Sequence, residues 1–98
     1  MILFVRCGDR FAPPSDTEVV ITLPAEFTAK HINASVEEVR NAVLAHPDSE
    51  TRLRVAGPGG LCFALGMGLE HVAKVVLFEQ LNQATKSYEI WADNRRNL

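Results

Sequence analysis

The sequence predicts an α/β fold, in which helices pack on a small, open, mostly parallel sheet that ends in an antiparallel hairpin. Three observations predict it. A short apolar run, Leu53 to Ala56, ends at the glycine-rich turn GPGG at 57–60, and apolar and small residues then continue for longer than one strand. The apolar run from Lys74 to Gln80 completes a β-α-β crossover, which joins parallel strands. The segment from Lys86 to Trp91 follows a short polar turn and returns as the second strand of a hairpin.

The amino-terminal part of the chain predicts two further strands. The first, Ile2 to Arg6, runs into a polar turn from Cys7 to Arg10. The segment from Phe11 to Asp16 contains two consecutive prolines, which lack the amide that a strand ladder needs, so a loop is expected there. The second strand is predicted from Glu18 to Leu23.

A first helix is predicted after an ambiguous segment, Pro24 to Ala34, which one short helical turn would fit. Ser35 and Glu38 have the S-x-x-E spacing of a capping box, which predicts that the helix starts at Ser35. The sequence HPD at 46–48 is expected to end it. The apolar residues that fall on one face of this helix are Val36, Val39, Val43 and Leu44.

The second helix, predicted roughly from Gly59 to Val72, contains two interior glycines. Gly66 and Gly68 should each cost about 1 kcal/mol relative to alanine, so a packing or site requirement is expected to keep them. Small residues recur at four-residue spacing, at Gly60, Ala64 and Gly68. The expectation is that this small-residue stripe lies against the sheet while a parallel stripe of leucines fills its flank, at Leu61, Leu65 and Leu69.

Length and composition indicate one small domain, residues 1–92, followed by a polar tail, residues 93–98. A chain of 98 residues with 47% apolar content can bury a core, but at this size self-association often adds stability. The formal net charge of -2 argues against a protein that coats long nucleic acid and is compatible with a compact phosphate site. No segment is apolar and long enough for a membrane span, and the first residues are too few for a signal-peptide core, so a cytoplasmic protein is expected.

The two cysteines, Cys7 and Cys62, are too few for a disulfide scaffold or a zinc site, and both are interpreted as reduced, partly buried thiols. No pair of histidines or carboxylates has the spacing of metal ligands. We therefore expect neither a metal nor a cofactor.

The turn at 57–60 is the main candidate site, because open α/β sheets bind ligands at the carboxyl ends of their strands. Gly57, Gly59 and Gly60 allow the backbone to approach a ligand closely, and the free amides of the following helix attract phosphate, while Pro58 pre-sets the turn. The alternative is a sharp strand-to-helix connection without a ligand. The spacing matches neither a phosphate loop of NTPases nor the dinucleotide fingerprint, so neither ATP hydrolysis nor NAD binding is indicated.

A second candidate segment, Gly8, Asp9 and Arg10, follows the first strand and should emerge at the same edge of a parallel sheet. Arg10 is expected to contact phosphate and Asp9 to orient it, although a solvated pair of turn residues is an equal alternative. His31, beside Lys30, is a candidate for acid-base chemistry on a phosphodiester, with an ordinary surface histidine as the alternative.

Three segments together, AGPGGLCFALGMGLEH, VVLFEQ and SYEIW, resemble the carboxyl-terminal part of SAVED domains, which are relatives of the CARF domains. The resemblance implies a CARF-like, Rossmann-like sheet and a module that binds a cyclic oligonucleotide second messenger in bacterial antiviral defence of the CBASS or type III CRISPR kind. The resemblance agrees with the turn chemistry, and we expect the binding residues to lie in both candidate segments, Gly8 to Arg10 and Gly57 to Gly60. An aromatic on the last strand, Tyr88 or Trp91, is available for stacking on a base or for packing on a partner.

A full SAVED domain has two CARF-like halves fused to an effector, whereas this chain has the size of one half. We therefore expect a homodimer, or a heteromer with an effector subunit, with the site shared between subunits. Two alternatives stay open. One is a metal-independent ring nuclease that cleaves such messengers, with Arg10 and His31 as its candidate catalytic residues, and the other is a structural partner subunit without a ligand.

Overall fold

A computed structural model describes residues 1–70, 72 and 74–94 of the chain and confirms the predicted fold class. The sheet has the strand order β2-β1-β3-β4-β5, in which the first four strands are parallel and β5 is antiparallel to β4. The elements in chain order are β1 (Ile2–Cys7), β2 (Val19–Leu23), α1 (Ala29–Ala45), β3 (Thr51–Ala56), α2 (Gly59–Gly68), β4 (Val76–Asn82) and β5 (Ser87–Asp93).

Both helices pack on one face of the sheet, which we call the covered face. Alternate residues of each strand point to it, so Leu3 and Val5 of β1 are buried on the same side as Leu53 of β3. The helices add the other half of this apolar core, whose fully buried members on α1 and α2 are Val39, Val43, Leu61 and Leu65. The opposite face carries no helix among the described residues and is called the open face; the loop of residues 8–18 approaches it.

Helix α1 begins at Ala29, so the predicted start at Ser35 is wrong. The N-cap is Thr28, and the ring nitrogen Nδ1 of His31 accepts a hydrogen bond from the Thr28 backbone amide at 3.0 Å. Ser35 lies inside the helix, where it is buried and donates its hydroxyl to the carbonyl oxygen of Ile32 at 2.7 Å. A serine in the S-x-x-E pattern can thus satisfy its hydroxyl within a helix as well as at its start. Leu44, predicted on the apolar face, is exposed.

Helix α2 ends at Gly68, four residues before the predicted Val72. Its leucines, Leu61 and Leu65, face the sheet and are fully buried, so the prediction that the small residues lie against the sheet is wrong. Gly68 instead faces α1: a Cβ atom added there would overlap Cγ1 of Val36. The glycine therefore permits close packing of the two helices.

The carboxyl-terminal hairpin is present, and the polar tail begins later than predicted. Asp93 is the last residue of β5, and Asn94 is buried. The Asn94 side chain accepts from the Val76 amide at 2.8 Å and donates to the carbonyl oxygens of Leu69 and Lys74 at 2.8 and 2.9 Å. Asn94 thus joins the end of α2 to the start of β4, and the remaining tail, residues 95–98, lies outside the described residues. In the described part of the chain, we find no helix whose length and apolarity would let it cross a bilayer.

Candidate functional site: a groove at the carboxyl edge of the sheet

The order of the strands creates a cleft between the ends of β1 and β3. Strand β1 lies between β2 and β3. After β1 the chain forms β2 on one side of β1, and α1 then leads to β3 on the other side of β1, where Arg6 pairs with Ala56. In open α/β sheets, neighbouring strands whose connections leave in opposite directions frame the ligand crevice at their carboxyl ends. The end of β1 and the end of β3 are in this arrangement.

A groove of about 460 Å³ occupies this position, and we call it the carboxyl-edge groove. It brings together the two candidate segments that are far apart in the sequence, Gly8 to Arg10 after β1 and Gly57 with Pro58 after β3. Gly59 and Gly60 are not among its walls but follow Pro58 directly as the first residues of α2. The residues that line the groove are Cys7, Gly8, Asp9, Arg10, Phe11, Ala25, Phe27, Ala56, Gly57 and Pro58.

Two glycines determine the shape of this groove. Gly8 has a φ of 68°, in the left-handed region that favours glycine, and its amide donates to the carbonyl oxygen of Leu23 at 2.7 Å. Gly57 is tightly surrounded, because an added Cβ would lie 3.1 Å from Sγ of Cys7 and 3.1 Å from Cδ2 of Leu61. The ends of β1 and β3 and the start of α2 therefore approach one another more closely than a larger residue at 57 would allow.

The start of α2 lies open beside the groove. Its N-cap is Pro58, no side chain caps it, and its first turn contains no acidic residue. The amides of Gly59 and Gly60 precede the first hydrogen bond of the helix, which Leu61 donates to the Pro58 carbonyl oxygen at 3.0 Å. A Cβ added at either glycine would have no atom within 4 Å, so no neighbouring side chain packs against this side of the helix start. Unpaired amides at a helix start favour an anion.

Arg10 supplies a positive charge at the rim of the groove. Its side chain is exposed, forms no ion pair among the described residues, and places its guanidinium carbon 5.9 Å from the centre of the Phe11 ring. Asp9 is also exposed at the groove and would oppose an anion placed against it. Burial, with a smaller contribution from Cys62, raises the pKa of the Cys7 thiol, which favours a neutral thiol over a nucleophile. Both cysteines are free, and Cys62 is exposed, not partly buried as expected.

His31 does not reach the carboxyl-edge groove. It lies in the first turn of α1, where it belongs to the capping box, and lines a separate cleft of about 90 Å³ with Pro24 and Glu38. The structure therefore does not bring together the two candidate catalytic residues, His31 and Arg10. Among the described residues, no group of three histidine, cysteine or acidic side chains is placed to hold a metal ion.

A buried charged cluster on the open face escaped the sequence analysis. Arg54 is only 5% exposed, and its Nε donates to Oε1 of Glu79 at 3.0 Å, while Nη1 and Nη2 donate to the two Asp16 oxygens at 2.7 and 3.1 Å. Its guanidinium also lies over the Tyr88 ring, 3.8 Å from the centre. The alternation of Arg52 and Arg54 with apolar Leu53 was a signal for this cluster, because a strand that holds arginines in its middle needs carboxylates nearby.

This cluster and Arg6 hold the loop that forms one wall of the groove. Hydrogen bonds from Arg54 hold the Asp16 carboxylate and lower its pKa. Nearer the groove, Nη1 of Arg6 donates to the carbonyl oxygen of Phe11 at 2.7 Å, and its Nε donates to the Thr22 hydroxyl at 3.0 Å. The loop is thus anchored to the open face at two places, which sets the position of Phe11.

Comparison of the chain with protein-family models, with curated proteins and with solved structures gave no match in any of the three. Four features of the carboxyl-edge groove favour it as a binding site: its position in the sheet, its glycines, the uncapped start of α2 beside it and the exposed charge of Arg10.

Proposed function

We propose that this protein binds a cyclic oligonucleotide second messenger in the carboxyl-edge groove and acts as a cytoplasmic sensor module in bacterial antiviral defence. One observation carries the proposal. Gly8 to Arg10 lie beside the uncapped start of α2, at the carboxyl ends of β1 and β3. Such a place suits a phosphodiester, because amides and a guanidinium both donate to phosphate oxygens. The resemblance to SAVED domains supplies the more specific ligand class.

The ring-nuclease alternative has less support from the geometry. Cleavage of a phosphodiester through a 2′-hydroxyl group needs a group that accepts its proton, and His31 lies in a different cleft. The raised pKa of Cys7 also keeps that thiol protonated. Binding without turnover is the function that these side chains support best.

We also propose that two copies of the chain share the ligand. The second copy would pack on the surface between α2 and β5. Both grooves must open in the same direction to hold one cyclic ligand, which restricts how the two copies can pair. Extension of the sheet through antiparallel β5 edges would turn the grooves to opposite ends, so the copies must instead pack through side chains. Phe63 and Met67 of α2 and Trp91 of β5 are 69%, 54% and 72% exposed, and an apolar cleft of about 220 Å³ lies between Cys62 and Trp91.

Sedimentation equilibrium tests this assembly. We expect a dimer at micromolar concentration, strengthened by the bound nucleotide, and a shift toward monomer in Trp91→Ser. A monomer with and without nucleotide would contradict self-association and would leave a heteromer with an effector subunit as the remaining form of the shared site.

Calorimetric titration with cyclic di-, tri- and tetranucleotides tests the groove itself. Gly59→Asp would place a carboxylate in open space beside the phosphate position, so we expect binding to be lost while the thermal unfolding transition stays cooperative. Asn41→Asp is the control, because it adds the same charge at an exposed position of α1, away from the groove and from the surface between α2 and β5. Undiminished affinity in a folded Gly59→Asp protein would remove the start of α2 from the site.

A further inference from the structure

A second cavity adjoins the carboxyl-edge groove on the open face. Its volume is about 360 Å³, and it shares Phe11 and Ala56 with the groove, so the two form one continuous depression over the end of β3. We propose that this cavity, which we call the open-face cavity, binds the base of the nucleotide whose phosphate lies in the groove. The inference rests on the proposed function, and it assigns the base of the ligand to the open-face cavity and the phosphate to the carboxyl-edge groove.

The charges at the floor of the open-face cavity are already paired. Arg54 donates from Nε, Nη1 and Nη2 to carboxylates, and Glu79 accepts from Arg54 with one oxygen and from Arg52 with the other, at 3.0 and 3.2 Å. One face of the Tyr88 ring is occupied by the Arg54 guanidinium. A phosphate would have to displace Asp16 from Arg54, whereas a neutral group can enter with every ion pair intact.

The remaining walls suit a planar heterocycle with polar edges. Phe11 is 48% exposed and presents an aromatic surface at the junction of the two cavities. Gln83 is exposed at the opposite wall, and its side-chain amide can both donate to and accept from the edge of a base, whereas Gln80, on the same side of β4 as Phe78, lines the cavity with its backbone. An aromatic platform combined with side-chain amides is a general way in which proteins hold a nucleobase.

Hydrogen bonds within the fold fix the position of Phe11. Its carbonyl oxygen accepts from Arg6, and the far end of the same loop is held by the Asp16–Arg54 pair. The Arg10 guanidinium lies 5.9 Å from the Phe11 ring centre, and both residues line the carboxyl-edge groove with Pro58, so a base stacked on Phe11 would direct its phosphate into that groove. One nucleotide can therefore lie across the junction of the two cavities, with its phosphate in the carboxyl-edge groove and its neutral base in the open-face cavity.

Two-dimensional amide NMR of the full chain, titrated with separate parts of a nucleotide, tests the assignment. We expect at least one of adenosine, guanosine, cytidine and uridine to shift the amides of Phe11, Gln80 and Gln83. Inorganic phosphate should shift those of Gly57, Gly59 and Gly60 instead. Nucleosides that shift none of the open-face residues, or phosphate that shifts the Asp16 and Arg54 signals, would overturn the base assignment.

A variant series gives the second measurement. Phe11→Ala should weaken binding of the matching nucleoside monophosphate by roughly 5- to 150-fold, because stacking is worth about 1–3 kcal/mol per base, and should leave inorganic phosphate unaffected. Phe11→Trp should retain binding, and Leu44→Ala, which removes an exposed apolar side chain on α1 away from both cavities, should bind as the wild type does. Equal binding by Phe11→Ala and the wild type would contradict the proposal.

The two proposals fail in different ways. Loss of the base assignment alone would leave the phosphate-dependent shifts at Gly57 to Gly60 and the effect of Gly59→Asp in place. Absence of both phosphate-dependent shifts and cyclic-nucleotide binding would overturn the proposed function together with this inference.

Discussion

The two faces of the sheet are stabilised by different interactions. On the covered face, leucines and valines from the strands and both helices are completely buried, as Leu3, Leu53 and Leu65 illustrate. The open face has Phe4 beside a cluster of ion pairs, in which Arg54 and Glu79 are buried and Asp16 is exposed. Removal of apolar area from water is the dominant favourable term in folding, whereas ion pairs gain little after desolvation.

This difference separates the part that stabilises the fold from the part that holds the site. The covered face supplies most of the apolar burial, while the arginines of the open face hold the loop of residues 8–18 against the carboxyl-edge groove. Substitutions on the covered face should therefore lower stability first, and those at the groove should lower affinity in a folded protein.

The largest effect is expected from Leu65→Ala on the covered face. Leu65 is 0% exposed, and loss of its side chain should lower the free energy of unfolding by roughly 2–5 kcal/mol. Leu44→Ala on α1, where the side chain is 55% exposed, should change it by about 0.5 kcal/mol or less. Urea unfolding followed by circular dichroism measures both, and similar losses in the two variants would refute the assignment of the buried side of α2.

Arg10→Ala tests the groove side of the comparison. Loss of a charge-assisted contact with phosphate should weaken ligand binding by about 1.5–3 kcal/mol, roughly 10- to 100-fold, and the loss should shrink as salt rises. The free energy of unfolding should stay the same, as it should in the control Arg40→Ala, whose exposed side chain pairs only with Glu37 among the described residues. A turnover that falls far more than affinity would favour the ring nuclease.

A pair of glycine substitutions sharpens the description of the covered face where α1 meets α2. Gly68→Ala should destabilise the protein by about 1–3 kcal/mol, because the new methyl group overlaps Val36. Gly66→Ala points into open space and should stabilise it by about 0.5–1 kcal/mol. Thermal unfolding should thus move in opposite directions, and a shared sign would mean that the two helices do not meet at Gly68.

The smallest expected effect is the pH dependence of the open face. The pKa of Asp16 is lowered in the folded state by hydrogen bonds from Arg54, so its contribution to stability is present above the unfolded value of about 3.9 and is lost as pH falls through the folded value. The difference in unfolding free energy between wild type and Asp16→Asn should be largest near neutral pH and shrink below about pH 4. A difference that stays constant across this range would argue against the Asp16–Arg54 pair.

The strands and the carboxyl edge of the sheet were predictable because short stretches of the sequence indicate them directly. The apolar runs end at glycines and prolines, and the turn at 57–60 marks the carboxyl edge directly. The start of α1 was missed because its capping box uses His31 in place of the usual glutamate or glutamine. The open-face cluster joins Arg54 to Asp16 and Glu79, which are 38 and 25 residues away. The register of β3 and β4 brings Glu79 to Arg54, and the path of the loop of residues 8–18 brings Asp16 there.

The most direct measurement of the central claim is incubation of the purified protein with cyclic di-, tri- and tetranucleotides, followed by separation of bound from free nucleotide and chromatography of both. We predict that one cyclic oligonucleotide is retained and recovered unchanged, and that Gly59→Asp retains none while Asn41→Asp does. Recovery of a linear product would identify a ring nuclease, and no retention of any member by the wild type would contradict a nucleotide site in the carboxyl-edge groove.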